Sequence, residues 1–269
     1  MNMTNFLKSR KSTREFKKKN VAEKDLAMVR DLIERINDEI GEINMEVKLY
    51  EFGKRIYDSL KGVGGYAGVM IESPHYIALD LKEHGPEEKL HSGYHMEKMV
   101  TRLNEMGIGT CWVTINDLDM ERMKAIFGED TGENDYLLAI GYPKPKNPFI
   151  HEQFSERLGV EEIAFHENLT KPADMNFLEE RGLGDIMFYV RFAPSSKNLQ
   201  PWRFIIHDNH VELAIEEING EFCYTDAGIA MYYFEELART QGIKSKWSVH
   251  MEPIEVKGKS YMVMGKFEL

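Results

Sequence analysis

A chain of 269 residues, 42% hydrophobic and 29% charged, has an ordinary globular balance and is long enough for one large domain or two small ones. Its formal net charge of −11 excludes the basic face that a general nucleic-acid or membrane-surface binder needs. Two cysteines, Cys111 and Cys223, exclude a disulfide framework, and no run approaches the ~20 apolar residues of a membrane span. The N-terminus has no apolar core of a secretory signal, and reduced thiols fit a cytoplasmic protein.

In chain order, the pattern predicts a helix from Val21 to Asn37 and a strand from Glu46 to Glu51. A Gly-rich bend, KGVGGYAG, precedes a strand at His75 to Leu79. An amphipathic helix follows, with Gly107 at its C-terminal stop, and then an apolar strand at Tyr136 to Ile140. GYPKPKNP opens a connection. Beyond it the sequence predicts a strand at Arg203 to His207. A helix carrying Ile229, Tyr233, Phe234 and Leu237 at helical spacing then stops at Gly242, and a last strand runs from Tyr261 to Met264. Strands and helices mix without regular βαβ alternation, which favours an α+β fold.

The two series resemble each other. NFLKSR from Asn5 answers to NFLEER from Asn176, and the eighteen residues from Arg35 line up without gaps on those from Arg191. GYHMEKMVTRLNEMGIGTCWV from Gly93 lines up on GIAMYYFEELARTQGIKSKWS from Gly228, matching Gly107 with Gly242 and Trp112 with Trp247. The order is kept and the offset shrinks along the chain, as a duplication with shortened connections would give. The expected organisation is a first copy at 1–147, a connection at 148–172 and a shorter second copy at 173–269, packed as one unit.

Two stretches carry candidate chemistry. RKSTR puts Arg10, Lys11, Ser12 and Arg14 together, the guanidinium forks, hydroxyl and local positive charge that a phosphate monoester needs. A solvated basic N-terminus is the bland alternative. FAPSSKNLQPWRFII contains a Pro194-Ser195-Ser196 turn and two amides, Asn198 and Gln200, which can donate and accept at the polar edge of a heterocycle. A structural turn with Trp202 in the core is its alternative. His91 and His95 stand four apart, but no third ligand has metal-binding spacing. Cys111 reads as a buried, inert thiol and His75 as structural.

Taken together, R-K-S-T-R, A-P-S-S-x-N-x-Q-P-W-R-F, G-I-G-T-C-W-V and A-I-G-Y-P-x-P-K resemble the nitroreductase family of flavoproteins. The resemblance implies a nitroreductase-like α+β fold, with mixed, mostly antiparallel sheets flanked by helices, and non-covalent FMN at a dimer interface. It assigns Arg10, Lys11, Ser12 and Arg14 to the phosphate and ribityl end, with Lys144 or Lys146 adding charge. Pro194, Ser195, Ser196, Asn198 and Gln200 would line the ring. The backbone around Val113 and Thr114 would approach flavin N5 and O4, with Gly65 and Tyr66 a weaker carry-over.

This chain departs from the family pattern by dividing the motifs between its copies. Where the second copy has Pro194, Ser195, Ser196 and Asn198, the first has Asp38, Glu39, Ile40 and Glu42; where the first has Ser12 and Arg14, the second has Leu183 and Asp185. The expectation is a fused pseudo-dimer with one FMN per chain. With the family's dimer interface already internal, the fusion is compatible with a monomer. The resemblance further implies transient NADH or NADPH as donor, a small-molecule electron acceptor of nitroaromatic or quinone type, and no catalytic residue beyond the flavin. No metal is expected, nor any nucleic-acid or membrane partner. A flavin-binding or regulatory protein without turnover is the alternative reading.

Overall fold

The computed structural model describes residues 2–115, 118–145 and 155–269. The chain divides into an N-terminal unit, Lys11–His151, and a C-terminal unit that joins Met1–Arg10 to Glu152–Leu269. Its first helix, α1 (Met3–Ser9), therefore belongs with the C-terminal unit and not with the residues that follow it.

The N-terminal unit contains α2 (Glu23–Ile40), β1 (Met45–Tyr50), α3 (Gly53–Leu60), β2 (His75–Leu81) and α4 (Pro86–Glu105), then β3 (Gly109–Thr114), α5 (Met120–Phe127) and β4 (Tyr136–Gly141). Helix α2 buries Leu26, Val29, Ile33, Ile36 and Ile40, spaced three, four, three and four residues apart along one face. Gly41 ends it in the left-handed region with φ 62°. The strands form one antiparallel sheet in the order β1-β2-β4-β3. Every residue of β2 is buried, as a central strand between α4 and the core around Ile56, Leu60, Tyr76 and Leu137 requires.

The C-terminal unit continues with α6 (Val160–Ile163), β5 (Ala164–His166), α7 (Met175–Glu180), α8 (Gly184–Val190), β6 (Trp202–Ile206) and β7 (His210–Glu216), then α9 (Tyr224–Thr240), β8 (Trp247–Val256) and β9 (Lys259–Glu268). Its sheet runs β5-β6-β7-β9-β8, with β5 parallel to β6 and the other pairs antiparallel. Phe204, Phe234, Trp247 and Phe267 form the aromatic centre, with Phe234 within 5.1 to 5.4 Å of the other three rings. Burying each such ring contributes about 1.5–3 kcal/mol relative to leaving it exposed. Helix α1 packs on α8 and α9, its Phe6 lying 6.3 Å from Tyr233.

The two sheets share an order: β1-β2-β4-β3 in one unit corresponds to β6-β7-β9-β8 in the other. Helices α4 and α9 occupy the same place in each series and stop in the same way. Gly107 and Gly242 are left-handed, and Ile108 and Ile243 donate back to Leu103 O and Ala238 O at 2.9 and 3.1 Å.

Three sequence expectations need correction. The second series has its own counterpart of β2: β7 was missed because HVELAIE follows a short Asp-Asn turn that lacks the usual hairpin glycine. The 148–172 connection carries α6 and β5 in its described part, and β5 adds a parallel edge to the sheet. Helix α2 continues to Ile40, three residues past the expected end, so Asp38, Glu39 and Ile40 are helical where the aligned residues of the C-terminal unit form a turn. Among the described residues, no helix is long and apolar enough to cross a membrane.

Candidate functional site

In the N-terminal unit, β3 organises the predicted residues. It lies at the sheet edge and, among the described strands, pairs with β4 alone. Thr13 N donates to Thr110 O at 2.8 Å, which lays the RKSTR segment beside the start of the strand. Gly109 makes this approach possible: a Cβ there would stand 2.5 Å from Thr13 Oγ1 and 2.8 Å from Pro143 Cγ. The segment then pairs with the chain leaving β4. Phe16 bridges to Pro143, Lys17 N donates to Tyr142 O at 2.9 Å, and Lys144 N donates to Glu15 O at 3.0 Å. Lys11 and Arg14 are exposed and Ser12 is half-buried. Lys144 Nζ is 3.4 Å from Glu15 Oε2, an exposed pair that contributes little to stability. The structure thus brings Lys11, Ser12, Arg14 and Lys144 together; Lys146 lies outside the described residues.

At the other end of β3, Gly65 N donates to Thr114 O at 2.8 Å and docks the Gly-rich bend on the strand. Gly65 has φ 84°, and a Cβ there would meet Val69 O at 2.1 Å, so no other residue fits. Tyr66 bridges to Val69 and is 80% exposed. The bonds from Thr13 and Gly65 show that the even-numbered residues of β3 turn their backbone groups away from β4. By the alternation of an antiparallel edge, the Thr114 N–H faces the same open side, whereas buried Val113 turns inward. Gly65, Tyr66, Val113 and Thr114 are therefore neighbours.

In the C-terminal unit, the Pro-Ser-Ser turn begins where α8 ends. Phe192 N and Ala193 N donate to Tyr189 O and Val190 O at 3.0 and 2.9 Å, and Pro194 cannot continue the helix. Lys197, Asn198 and Gln200 all have φ between 50° and 58°, a concentration of left-handed, non-glycine backbone that needs surrounding support. The support is specific. Ser195 Oγ accepts from Gln200 N at 2.9 Å, and Ser196 N donates to both Asp226 oxygens, at 3.0 and 3.2 Å. Asp226 sits in the first turn of α9. Burial pushes its carboxyl up to about 7, against the lowering effect of the Ser196 bond.

The two amides face inward to an unpredicted segment. Asn198 Nδ2 donates to Glu156 O at 2.9 Å, and Asn198 Oδ1 accepts from Arg157 Nη1 at 2.9 Å. Gln200 Oε1 accepts from Leu158 N at 3.0 Å, and its Nε2 donates to Asn198 O at 3.2 Å. Gln200 is buried, so both ends of its amide serve the unit's interior, whereas the family resemblance assigns it to the flavin ring. Arg157 also donates to Ala193 O at 2.9 Å. Burial first, then the charges of Arg10 and Arg191, lower its pKa, so this guanidinium lies in a positively charged neighbourhood. Nothing in SERLGV marked it. Arg10, at the end of α1, is half-buried.

The lesser candidates resolve simply. His75 Nε2 accepts from Val21 N at 3.1 Å and Nδ1 donates to Glu51 O at 2.8 Å, so the neutral ring ties two loops together and burial lowers its pKa. Cys111 is buried in the core. His91 and His95 stack at 6.1 Å, while the described residues that converge as possible metal ligands are His207, His210 and Glu212.

The family described as "Putative TM nitroreductase" matches residues 2–238. A crystal structure of a "putative nitroreductase" from Thermotoga maritima MSB8 is 19% identical, covers 98% of this chain and 94% of its own, and superposes with a TM-score of 0.60, a likeness of fold. The nitroreductase with bound FMN from Bacteroides fragilis NCTC 9343 is 15% identical and covers 58% of this chain and 95% of its own, at a TM-score of 0.46. An FMN-dependent nitroreductase from Clostridium difficile R20291 is 16% identical, with 53% and 88% covered, at 0.44. No curated protein matches the chain. The family match covers well over half of the chain, and the chain belongs to this nitroreductase family.

Proposed function

We propose that the chain is an FMN-dependent NAD(P)H oxidoreductase of nitroreductase type, binding one FMN per chain and reducing an electron-poor acceptor such as a nitroaromatic or a quinone. The observation that carries this reading is the placement of two kinds of group on β3. The cationic segment docks at Thr110 and the Gly65 bend at Thr114, about 14 Å apart at ~3.4 Å per strand residue. Lys11, Ser12, Arg14 and Lys144 supply charge and donors for a phosphate at one end. The Thr114 N–H offers a fixed donor at the other, suited to negative charge on a reduced heterocycle. The residues present thus fit FMN. Bound FMN would supply the redox chemistry, accepting hydride from NADH or NADPH and passing reducing equivalents to the acceptor. Tyr66, exposed beside that donor, offers a face against which a planar acceptor can stack.

Support for the two-copy reading comes from the shared sheet order and the paired helix stops. Only the N-terminal unit has the cationic segment and only the C-terminal unit has the Pro-Ser-Ser turn, which favours one complete set of parts and a monomeric assembly. Free Cys111 and Cys223 fit a reducing, cytoplasmic setting. The test is direct. Purified chain is loaded with FMN and the flavin counted, then exposed to NADH or NADPH without air, and finally to a nitroaromatic or quinone. One flavin that bleaches and recovers its colour is expected. Two per chain would remove the one-site assignment; a retained flavin that no nicotinamide bleaches would remove the enzyme; failure to take up FMN would remove both.

A further inference from the structure

The hairpin of β6 and β7 carries a cluster that the flavin reading does not use. A two-residue turn, Asp208 and Asn209, closes it, and His207 N donates to His210 O at 2.9 Å. Ile205 pairs with Glu212 and Ile206 with Val211, so His207 stands opposite His210. Because alternate strand residues share a face, His207, His210 and Glu212 project from one side. The other side, Ile206, Val211 and Leu213, is fully buried.

The three side chains converge closely. The two imidazoles stack at 4.3 Å with 13° between their planes. His207 Nε2 lies 3.2 Å from Glu212 Oε2, and His210 Nε2 lies 3.8 Å from Glu212 Oε1. One ligand atom from each residue falls within 4.8 Å of the others. All three are half-buried, with side-chain exposures of 26%, 18% and 26%: partly desolvated but reachable.

We propose that His207, His210 and Glu212 bind a first-row divalent transition-metal ion such as zinc. Two imidazoles with one carboxylate form a nitrogen-rich set that selects such ions over magnesium or calcium. Small side-chain rotations would bring the donors to the ~2.0–2.2 Å that zinc takes, leaving a fourth position for water or another ligand. The orienting contacts are in place. His210 Nδ1 is 2.8 Å from Asn209 Oδ1; donation there leaves Nε2 as the free base facing Glu212. The turn is clamped, because Arg181 Nη2 donates to His207 O at 2.7 Å and Leu269 N donates to Asn209 O at 2.9 Å.

The surrounding charges allow a cation. Lys266, opposite Glu212 on β9, pairs with Glu268 at 2.7 Å, and Arg181 is directed at the turn's backbone and at Asp208, 3.3 Å away.

Untagged, chelator-treated full chain, titrated with zinc by calorimetry and with cobalt by visible absorption, tests the site without reference to flavin. One equivalent per chain is expected, together with the ligand-field spectrum of a low-coordinate cobalt site. Glu212→Gln should weaken binding at least about tenfold, since even outer partners of metal ligands are worth ~10–100-fold. His207→Ala with His210→Ala should abolish binding, His250→Ala should leave it unchanged, and magnesium should not compete. Far-UV circular dichroism establishes that the variants are folded, and Glu212→Gln, with nearly unchanged shape, reads the site should the double variant unfold. Binding undiminished in Glu212→Gln and in a folded double variant, or no stoichiometric binding by the wild type, overturns the proposal.

Discussion

Arg157 Nη1 donates to Asn198 Oδ1 and to Ala193 O, both at 2.9 Å, and so spans the Pro-Ser-Ser turn from outside its own sequence. Hydrogen bonds to charged groups contribute ~1.5–3 kcal/mol. Arg157→Met should therefore lower the melting temperature, by about 2–4 °C for each kcal/mol lost in a domain of this size. FMN affinity should fall with it. Arg157→Lys keeps the charge but loses the planar fork, and should recover only part of both. A melting temperature that does not move in Arg157→Met would show that the turn holds its shape without this bridge.

Gly109 is the corresponding control point in the N-terminal unit. A methyl group there would collide with Thr13 Oγ1 and Pro143 Cγ, so Gly109→Ala should displace the cationic segment from β3. The strand itself pairs with β4 through backbone bonds and should survive. The expected result is a folded protein whose FMN affinity, read by quenching of flavin fluorescence, falls more than about tenfold, about 1.4 kcal/mol. Adding Thr13→Gly removes the nearest obstruction and should restore part of the loss. If Gly109→Ala binds FMN normally, the 11–14 segment is not the phosphate site.

Charge reversal separates the two motif sets. Arg14 and Asp185 are both exposed, so neither substitution should harm folding. Arg14→Glu should abolish FMN retention through gel filtration. Asp185→Arg, at the sequence position that lines up with Arg14, should leave it near wild type. Equal loss from both would contradict the one-site assignment.

What the sequence disclosed follows from how local each signal is. The helix stops at Gly107 and Gly242 were legible because a glycine after an amphipathic run has one inexpensive conformation there. The RKSTR segment is legible as a charge motif and Lys144 only through the family resemblance; their adjacency comes with the pairing of residues 13–17 against Thr110 and Tyr142–Lys144. Strand β7 was missed because its turn, Asp208-Asn209, has no glycine. Arg157 was invisible for a different reason. Its partners lie 36 and 41 residues away, and no spacing rule links a lone arginine to a turn that distant. Asp226 lies in the first turn of α9, a common place for an acid, and only its burial makes it unusual.

Asp226 gives the C-terminal unit a pH response whose sign is fixed. Its folded pKa is raised, by burial, to about 7, whereas in the unfolded chain it lies near 3.8. The fold therefore favours the protonated acid. The stability this group contributes is fully present below about pH 4 and is lost as pH rises through about 7. Asp226→Asn cannot ionise, yet its Oδ1 can still accept from Ser196 N. The difference in melting temperature between variant and wild type should be smallest below about pH 4, widen from there to about pH 7 and stay level above it, with the variant more stable. The Ser196 bond opposes the shift, so Ser196→Pro, which removes that N–H, should extend the response to higher pH. Melting curves recorded across this range decide the matter: a constant gap between wild type and Asp226→Asn would mean that Asp226 titrates as it does in the unfolded chain and that the turn is not held against a buried acid.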